Sequence, residues 1–197
     1  MTTKRGTLTL LLASLPFWAI GCGVVEQGRS PSVVRITELT ASGGSGTVEF
    51  GGTLHSDVVT KSSIFNDIGF VKMRLDLKDP GAPGITNAPS ALNTVTFTHY
   101  RAVYRRTDGR NVEGVDVPYA FDSGLTFTVP ATGEVSAQFD IVRASAKKEA
   151  PLLALAINGD LINTITDVTF YGKDQANNNV TVTGSIGITF ANFADPE

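Results

Sequence analysis

Strict alternation between apolar and polar side chains is the feature of this sequence that most constrains its fold. Between residues 180 and 190, Val, Ile, Phe and one Gly occupy every second position, and Thr, Ser and one Gly lie between them. A second stretch, 71–78, alternates Val, Met, Leu and Leu with Lys, Arg, Asp and Lys. Because successive side chains of a strand point to opposite faces, this pattern predicts strands with one buried and one solvated face. Such strands are typical of antiparallel sheets.

Turn-forming residues separate these two segments from others of strand-like composition. The further predicted strands are 33–40, 47–55, 94–106, 117–121, 125–129, 134–142 and 165–173. The predicted breaks are 42–46, a long loop from 79 to 93, a hairpin turn at 107–111, and turns at 158–160 and 174–178. Seven to nine short strands with polar turns and little helix predict an all-β domain.

Two segments depart from simple alternation. In 94–106 the apolar residues up to Phe97 lie at odd-numbered positions, whereas most of those from Tyr100 onward lie at even-numbered positions. We expect a β-bulge near His99, or a strand that crosses between sheets, because either would reconcile the two phases. Residues 143–157 have helical composition, and an internal proline restricts them to a short helix or an irregular crossover.

The first 22 residues have the pattern of an export signal. Lys4 and Arg5 precede an uncharged, mostly apolar run, 7–20, which is shorter than the ~20 residues of a membrane span. Cys22 follows this run and is the only cysteine of the chain. The segment 12–22, with Gly before the cysteine, resembles the lipobox of bacterial lipoprotein precursors.

The lipobox resemblance implies cleavage before Cys22 and a covalent lipid on its thiol, which would anchor the protein to a membrane. An ordinary secretory signal with an unrelated cysteine is the alternative, although a lone thiol in an exported protein needs an explanation. The predicted organisation is a signal peptide (1–21), a lipidated tether (22–32) and one β domain (33–197). Gly after the cysteine is compatible with the outer membrane of a Gram-negative cell envelope.

The charge balance argues against one class of partner. The chain has 16 basic and 19 acidic residues, and cleavage would remove two of the basic residues, Lys4 and Arg5. Nucleic-acid binding depends on a basic surface that neutralises phosphates. The acidic balance of the remaining chain therefore gives no support for a nucleic-acid partner.

Residues 33–193 resemble bacterial immunoglobulin-like or fibronectin type III-like envelope modules in their pattern of short strands and polar turns. The segment 168–174, followed by a Thr-rich last strand, is similar to the terminal hairpin of such modules. This resemblance implies a single antiparallel β-sandwich of the immunoglobulin-like type. The chain departs from antibody-type domains because it has neither a cysteine pair nor a tryptophan in this region.

The sequence has no motif for an enzyme. It lacks a Gly-x-Ser-x-Gly elbow, a His-Glu-x-x-His pair, a phosphate-binding glycine loop and Cys-x-x-Cys. Of its two histidines, His55 falls in the polar phase of a predicted strand, and His99 lies at the predicted bulge. We therefore expect no catalytic residue and a protein that is not an enzyme.

Acidic and amide residues in the turns raise the question of calcium. Loop oxygens can bind calcium, but no Asp-x-Asp-x-Asp spacing occurs, and Asp and Asn favour turns for local reasons. The prediction is that no metal is bound. The residues considered are Asp57, Asn66, Asp67, Asp108, Asp122, Asp174, Asn177 and Asn178.

A group of tyrosines and arginines is the most concentrated chemical feature of the predicted domain. Tyr and Arg dominate the energetics of many protein interfaces, so this group is a candidate interaction surface. The alternative is an edge strand whose charges discourage aggregation, with its tyrosines in the core. The residues are Tyr100, Arg101, Tyr104, Arg105, Arg106 and Arg110.

These observations predict a lipid-anchored, non-enzymatic protein of the bacterial cell envelope. Its role would be structural, or it would bind another envelope protein through the 100–111 segment or the 79–93 loop. The alternative function is a binding module for a small ligand, a glycan or calcium. A glycan platform usually presents exposed aromatic rings, above all Trp, and Trp18 lies in the predicted signal peptide.

Overall fold

A computed structural model of the chain describes residues 28–45 and 49–194. The predicted signal peptide and Cys22 lie outside these ranges. The described residues form ten strands, of which two have only two residues, two short α-helices, and one 3-10 turn at Ala91–Asn93. In chain order they are β1 (Ser32–Ser42), β2 (Thr53–Asp57), β3 (Asp67–Leu77), β4 (Gly81–Ala82), β5 (Ile85–Thr86), β6 (Val95–Arg105), β7 (Phe121–Val129), β8 (Glu134–Val142), α1 (Ala144–Lys147), α2 (Leu152–Asn158), β9 (Ile162–Asp174) and β10 (Asn179–Ala191).

The strands form two main sheets and confirm the prediction of an all-β chain. A three-stranded sheet has the order β1-β3-β8, and a five-stranded sheet has the order β2-β10-β9-β6-β7. The five-stranded sheet curls into a half-barrel. Neighbouring strands are antiparallel, with one exception that the sequence did not predict: β2 pairs with β10 in parallel.

The alternating segments are strands with one buried face. In β10, Val180, Ile186, Ile188 and Phe190 are buried, whereas the residues between them are exposed or half-buried. The same alternation along β3 buries Val71, Met73 and Leu75 and leaves the intervening charged side chains at the surface. Burial of one face of each sheet drives this arrangement, because each buried aliphatic side chain contributes roughly 1.5–3 kcal/mol.

The buried faces of the two sheets pack against each other. Strand β1 lies so close to β10 that a Cβ on Gly184 would lie 2.9 Å from the side chains of Ile36 and Leu39. Further along, the rings of Phe139 and Phe170 meet edge to face, with centroids 5.3 Å apart. The core therefore lies between the sheets and has a small residue where β1 crosses close to β10.

Both predicted irregularities are present. The pairing of β6 with β7 and with β9 shifts register between Phe97 and His99, which confirms the predicted bulge. The extra residue opposite β9 is Thr98, and it moves the apolar phase so that Tyr100 faces the core. The crossover after β8 consists of the two short helices, as predicted for 143–157.

One predicted strand is wrong, and another begins later than predicted. Residues 117–120 belong to the β6–β7 loop. Pro118 has no amide hydrogen to donate to a neighbouring strand. Just before it, the amides of residues 115–117 all donate to the carbonyl of Val112 and form a tight turn. The predicted turn at 107–111 thus opens a long loop rather than a tight hairpin. Of the predicted strand 47–55, residues 47 and 48 lie outside the described ranges, and β2 begins at Thr53. Before it, Gly51 makes an isolated bridge to β1.

Strand β6 connects two ends of the molecule that are used below. At the entry end, near Val95, the Ser32 hydroxyl donates to the Asn93 carbonyl, 3.1 Å away. At the distal end, beyond Arg105, the β6–β7 loop (106–120) lies beside the two helices. Eleven strand residues separate these ends by roughly 30 Å.

Candidate functional site

The two tyrosines of the predicted interaction surface are core residues. Tyr100 and Tyr104 are 1 % and 2 % exposed. Their hydroxyls reach the opposite sheet, where Tyr100 donates to the carbonyl of Asp140 and Tyr104 to that of Ile141, each across 2.7 Å. Burial raises the pKa of Tyr104, so this hydroxyl stays a proton donor. Both tyrosines therefore tie the sheets together.

Three of the four arginines are exposed and Arg106 is half-buried, and each forms an ion pair with a carboxylate of the same chain. Arg101 pairs with Asp122 on β7, and Arg105 pairs with Asp167 on β9, both at 2.5 Å. Strand β6 lies between β7 and β9, so the prediction of an edge strand is wrong. The charges of Arg101 and Arg105 hold neighbouring strands together across the outer face of the sheet.

The other two arginines converge on one carboxylate in the β6–β7 loop. Arg106 and Arg110 donate to Asp108 at 2.6 and 2.8 Å. The hydrogen bonds from Arg106 and then from Arg110 lower the pKa of Asp108 strongly. In the same way, the Arg105 guanidinium lowers the pKa of Asp167. The structure thus brings the arginines together with carboxylates, and it separates them from the two tyrosines.

The two histidines are exposed and lie on different strands of the five-stranded sheet. His55 is on β2, and its ring meets the edge of Phe193 with centroids 5.5 Å apart. His99, at the bulge, stacks on Tyr171 with centroids 4.8 Å apart and ring planes 8° from parallel. Strands β10 and β9 lie between β2 and β6, so the fold does not bring the histidines together.

A groove on the five-stranded sheet begins at the His99–Tyr171 stack. Its volume is about 570 Å³, and the Thr96, Thr98 and Thr181 side chains contribute hydroxyls to its wall. Lys173 and Gln175 add an ammonium and an amide at the entry end. We call this feature the sheet groove. Its lining combines ring faces with hydrogen-bonding groups, which is the usual make-up of a site for a small polar ligand.

The turn residues considered for calcium make hydrogen bonds or ion pairs within the chain. Asp174 shapes the β9–β10 turn by accepting from the amides of Ala176 and Asn178, both at 2.9 Å. Asn66 accepts from the amide of Ala144, and Asp57 accepts from the Thr60 hydroxyl. Within residues 28–45 and 49–194, no three His, Cys, Asp or Glu side chains group as a metal site would require.

A buried ion pair at the distal end is the feature that sequence reasoning missed. Lys147 of α1 and Asp67 of β3 have side chains only 2 % and 1 % exposed, and Nζ lies 2.8 Å from Oδ1. The lysine also donates to the Asp57 carbonyl at 2.8 Å. Nothing in the local pattern marks the two residues as partners, because 80 positions separate them.

Two further donors complete the surroundings of Asp67. The Ser56 hydroxyl donates to Oδ2 at 2.6 Å, and the Gly44 amide donates to Oδ1 at 3.3 Å. Burial nevertheless raises the pKa of Asp67, because loss of water outweighs these hydrogen bonds and the charge of Lys147. The network joins β2 of one sheet to β3 of the other and to α1.

Six large apolar side chains are exposed on elements of the distal end, namely α2, the residue before β9 and the β6–β7 loop. Their exposed fractions range from 50 % to 89 %. Clusters of exposed apolar residues are uncommon on isolated soluble domains and typically mark interaction sites. We call this set the distal apolar surface. It comprises Val112, Val115, Tyr119, Leu153, Ile157 and Leu161.

Comparisons with known proteins give no match. No protein-family model matches the sequence, and no match was found among curated proteins or among solved structures. In the part of the chain that the structure describes, no helix has the length and apolar character needed to cross a membrane.

Proposed function

We propose that this chain is a lipid-anchored, non-enzymatic protein of the bacterial cell envelope that binds another envelope protein. In this proposal the two facing sheets form an immunoglobulin-like β-sandwich, and acyl chains on Cys22 hold it at a membrane. The anchor is supported by the position of the only cysteine directly after the apolar run 7–20. The binding role is supported by the distal apolar surface.

The distal apolar surface carries the proposal because six large apolar side chains on its elements are at least half exposed. Ile157 is 89 % exposed and Leu153 is 50 % exposed, although they lie on the same helix as the buried Leu152 and Leu155. A partner that covered these side chains would remove them from water, at roughly 25 cal/mol for each Å² of apolar area. Arginines 106 and 110 lie beside α2 and would form a polar rim.

The position of this surface suits an anchored protein. The described chain enters at the opposite end, where Ser30 is buried and the Lys78 ammonium donates to the carbonyl of Gly28 at 3.0 Å. Five residues lie between Cys22 and Gly28, and the six Cα–Cα steps from one to the other span at most about 20 Å. Acyl chains on Cys22 would therefore hold the entry end near the lipid, and the distal end would project toward partners.

Site-specific crosslinking in cells tests the binding role. A photoreactive amino acid at position 157 should give a discrete crosslinked species, which is lost when Leu153 and Leu161 are both changed to Ser. The matched control places the photoreactive group at Ile85, which is 78 % exposed but belongs to the 79–93 loop. The same species from positions 157 and 85, or its persistence in the double variant, would contradict the proposal.

Acyl labelling tests the anchor separately. The Cys22→Ser variant should lose the label and move from the membrane fraction to the soluble fraction, because its attachment thiol is gone. A variant that still fractionates with membranes as the wild type does would sink the lipid-anchor hypothesis. The result does not depend on the distal apolar surface, so the two parts of the proposal fail independently.

The sheet groove favours a second function, a binding module for a glycan. Sugars present hydroxyls to polar groups and apolar C–H faces to aromatic rings, and the groove offers both around Tyr171. Binding to a glycan array should be lost in His99→Ala and Tyr171→Ala. His55→Ala removes the other exposed histidine and serves as the control. An array without binding, or equal binding by all three variants, would rule out this function.

A further inference from the structure

The distal ion pair holds an amine and a carboxyl group in contact in a site that excludes water. Lys147 Nζ lies 2.8 Å from Asp67 Oδ1, and the carboxyl carbon is one bond beyond that oxygen. Both side chains are at most 2 % exposed. The lysine is also fixed by its hydrogen bond to the Asp57 carbonyl. Such positioning turns an encounter between two groups into an effectively intramolecular one.

The surroundings of the carboxyl group favour attack at its carbon. The Ser56 hydroxyl donates to Oδ2 and the Gly44 amide donates to Oδ1, so each oxygen has a donor that can stabilise developing negative charge. Ser56 is itself fully buried. This arrangement polarises the carboxyl group from both sides, and Lys147 Nζ contacts it directly.

Burial also makes the charged form of this pair costly. Removing two ions from water costs several kcal/mol for each ion, and a close pair recovers only part of this cost. A proton that moves from the ammonium to the carboxylate leaves a neutral amine beside a neutral acid. The burial that raises the pKa of Asp67 acts in this direction. The amine is then a nucleophile in contact with an activated carboxyl group.

We propose that Lys147 and Asp67 condense to an intramolecular isopeptide bond. After proton transfer, the Nζ lone pair attacks Cγ of Asp67 and forms a tetrahedral intermediate. A second proton from Nζ passes to one carboxyl oxygen, the C–O bond breaks, and water leaves. One ammonium and one carboxylate thus give one amide and one water, with no oxidant, reductant or co-reactant. The amide replaces two buried charges by one neutral group.

This bond would do the work that a disulfide does in other exported domains. The chain has one cysteine, so it cannot form a disulfide within itself. The proposed bond links residues 80 positions apart and connects β3 to the crossover helix α1. Closing so long a loop restricts the unfolded chain and thereby stabilises the folded one. The bond would be made by folding, since only the fold brings these residues together.

Peptide mapping of the full-length protein tests the proposal directly. Trypsin cleavage after Lys61, Lys72, Arg143 and Lys148 should release residues 62–72 joined to residues 144–148, because an acylated Lys147 is no longer a cleavage site. The joined species should have the mass of the two peptides less one water. Tandem fragmentation should place the link between Asp67 and Lys147.

The matched control is Lys147→Arg, which keeps the cation but replaces the nucleophilic amine. It should give only linear peptides, and circular dichroism checks that it folds. Only linear peptides from folded wild-type protein would overturn the proposal, and this result stands even if the variant fails to fold. A water loss confined to residues 62–72, as from a succinimide at Asp67, would also overturn it. A link to the Ser56 peptide that hydroxylamine cleaves would do the same, because it indicates an ester.

Discussion

Two lysine–carboxylate pairs of equal length lie in opposite environments of this protein. Lys147 and Asp67 meet at 2.8 Å in the interior, with side chains 2 % and 1 % exposed. Lys72 and Glu38 also meet at 2.8 Å, but on the outer face of the three-stranded sheet, with side chains 35 % and 41 % exposed. The hydrogen bond and charge of Glu38 raise the pKa of Lys72, whereas burial raises the pKa of Asp67.

The difference shows that the length of an ion pair does not determine its importance. At the outer face, water and salt screen the charges, and either partner is easily solvated when the other is removed. In the interior, a charge that loses its partner has neither water nor another ion. The ion pairs of Arg101 and Arg105 on β6 are partly exposed, like that of Lys72. The arginine cluster that stands out in the sequence therefore contributes less to stability than the buried Lys147–Asp67 pair.

The largest expected effect comes from removing the buried cation. Lys147→Met should lower the free energy of unfolding by about 3–5 kcal/mol, because the Asp67 carboxylate stays buried without its partner. The loss is expected whether the wild-type residues form an ion pair or the proposed covalent bond. Urea unfolding followed by circular dichroism measures it.

The same substitution at the surface sharpens the comparison. Lys72→Met removes a lysine from a pair of equal length, so it separates the effect of burial from the effect of distance. We expect a change much smaller than that of Lys147→Met. If both variants lose the same free energy of unfolding, burial does not make the Lys147 pair more important than the Lys72 pair.

A smaller effect is expected from removing a buried hydroxyl between the sheets. Tyr104→Phe leaves the Ile141 carbonyl without the donor that lies 2.7 Å away. The expected loss in the free energy of unfolding is about 1–3 kcal/mol, the usual cost of an unsatisfied buried polar group. Tyr119→Phe is the matched control, because Tyr119 is 56 % exposed. If both variants unfold at the same urea concentration, the tyrosine hydroxyl does not tie the sheets together.

The smallest effect concerns an exposed pair and depends on pH. The pKa of Asp167 is lowered by the hydrogen bond from Arg105, so the folded state favours the ionised form. This contribution to stability is present above the ordinary pKa of 3.8 and is lost as the pH falls through the lower, folded-state pKa. Wild type and Asp167→Asn, unfolded in urea between about pH 6 and pH 2, should therefore converge at acid pH. A constant gap between them would contradict this assignment.

Some of the fold could be predicted because it follows from local pattern. Alternation identified β3 and β10, and the change of phase identified the bulge at His99, since both reflect which face of a strand is buried. The strand predicted at 117–121 is absent up to residue 120, because Pro118 and a turn that begins at Val112 prevent a ladder there. The parallel pairing of β2 with β10 was not predictable, because local pattern does not specify a distant partner.

The candidate sites also divide into features that the local sequence predicts and features that depend on distant residues. The sequence by itself determined that the chain forms strands, which faces they bury and where Cys22 lies, because periodicity and position are properties of the chain alone. Only the tertiary structure decided that Tyr104 is a core residue, that the arginines are paired across strands, and that Lys147 meets Asp67. The physical reason is that burial and pairing depend on segments far apart in sequence, which only the packing of the sheets brings together.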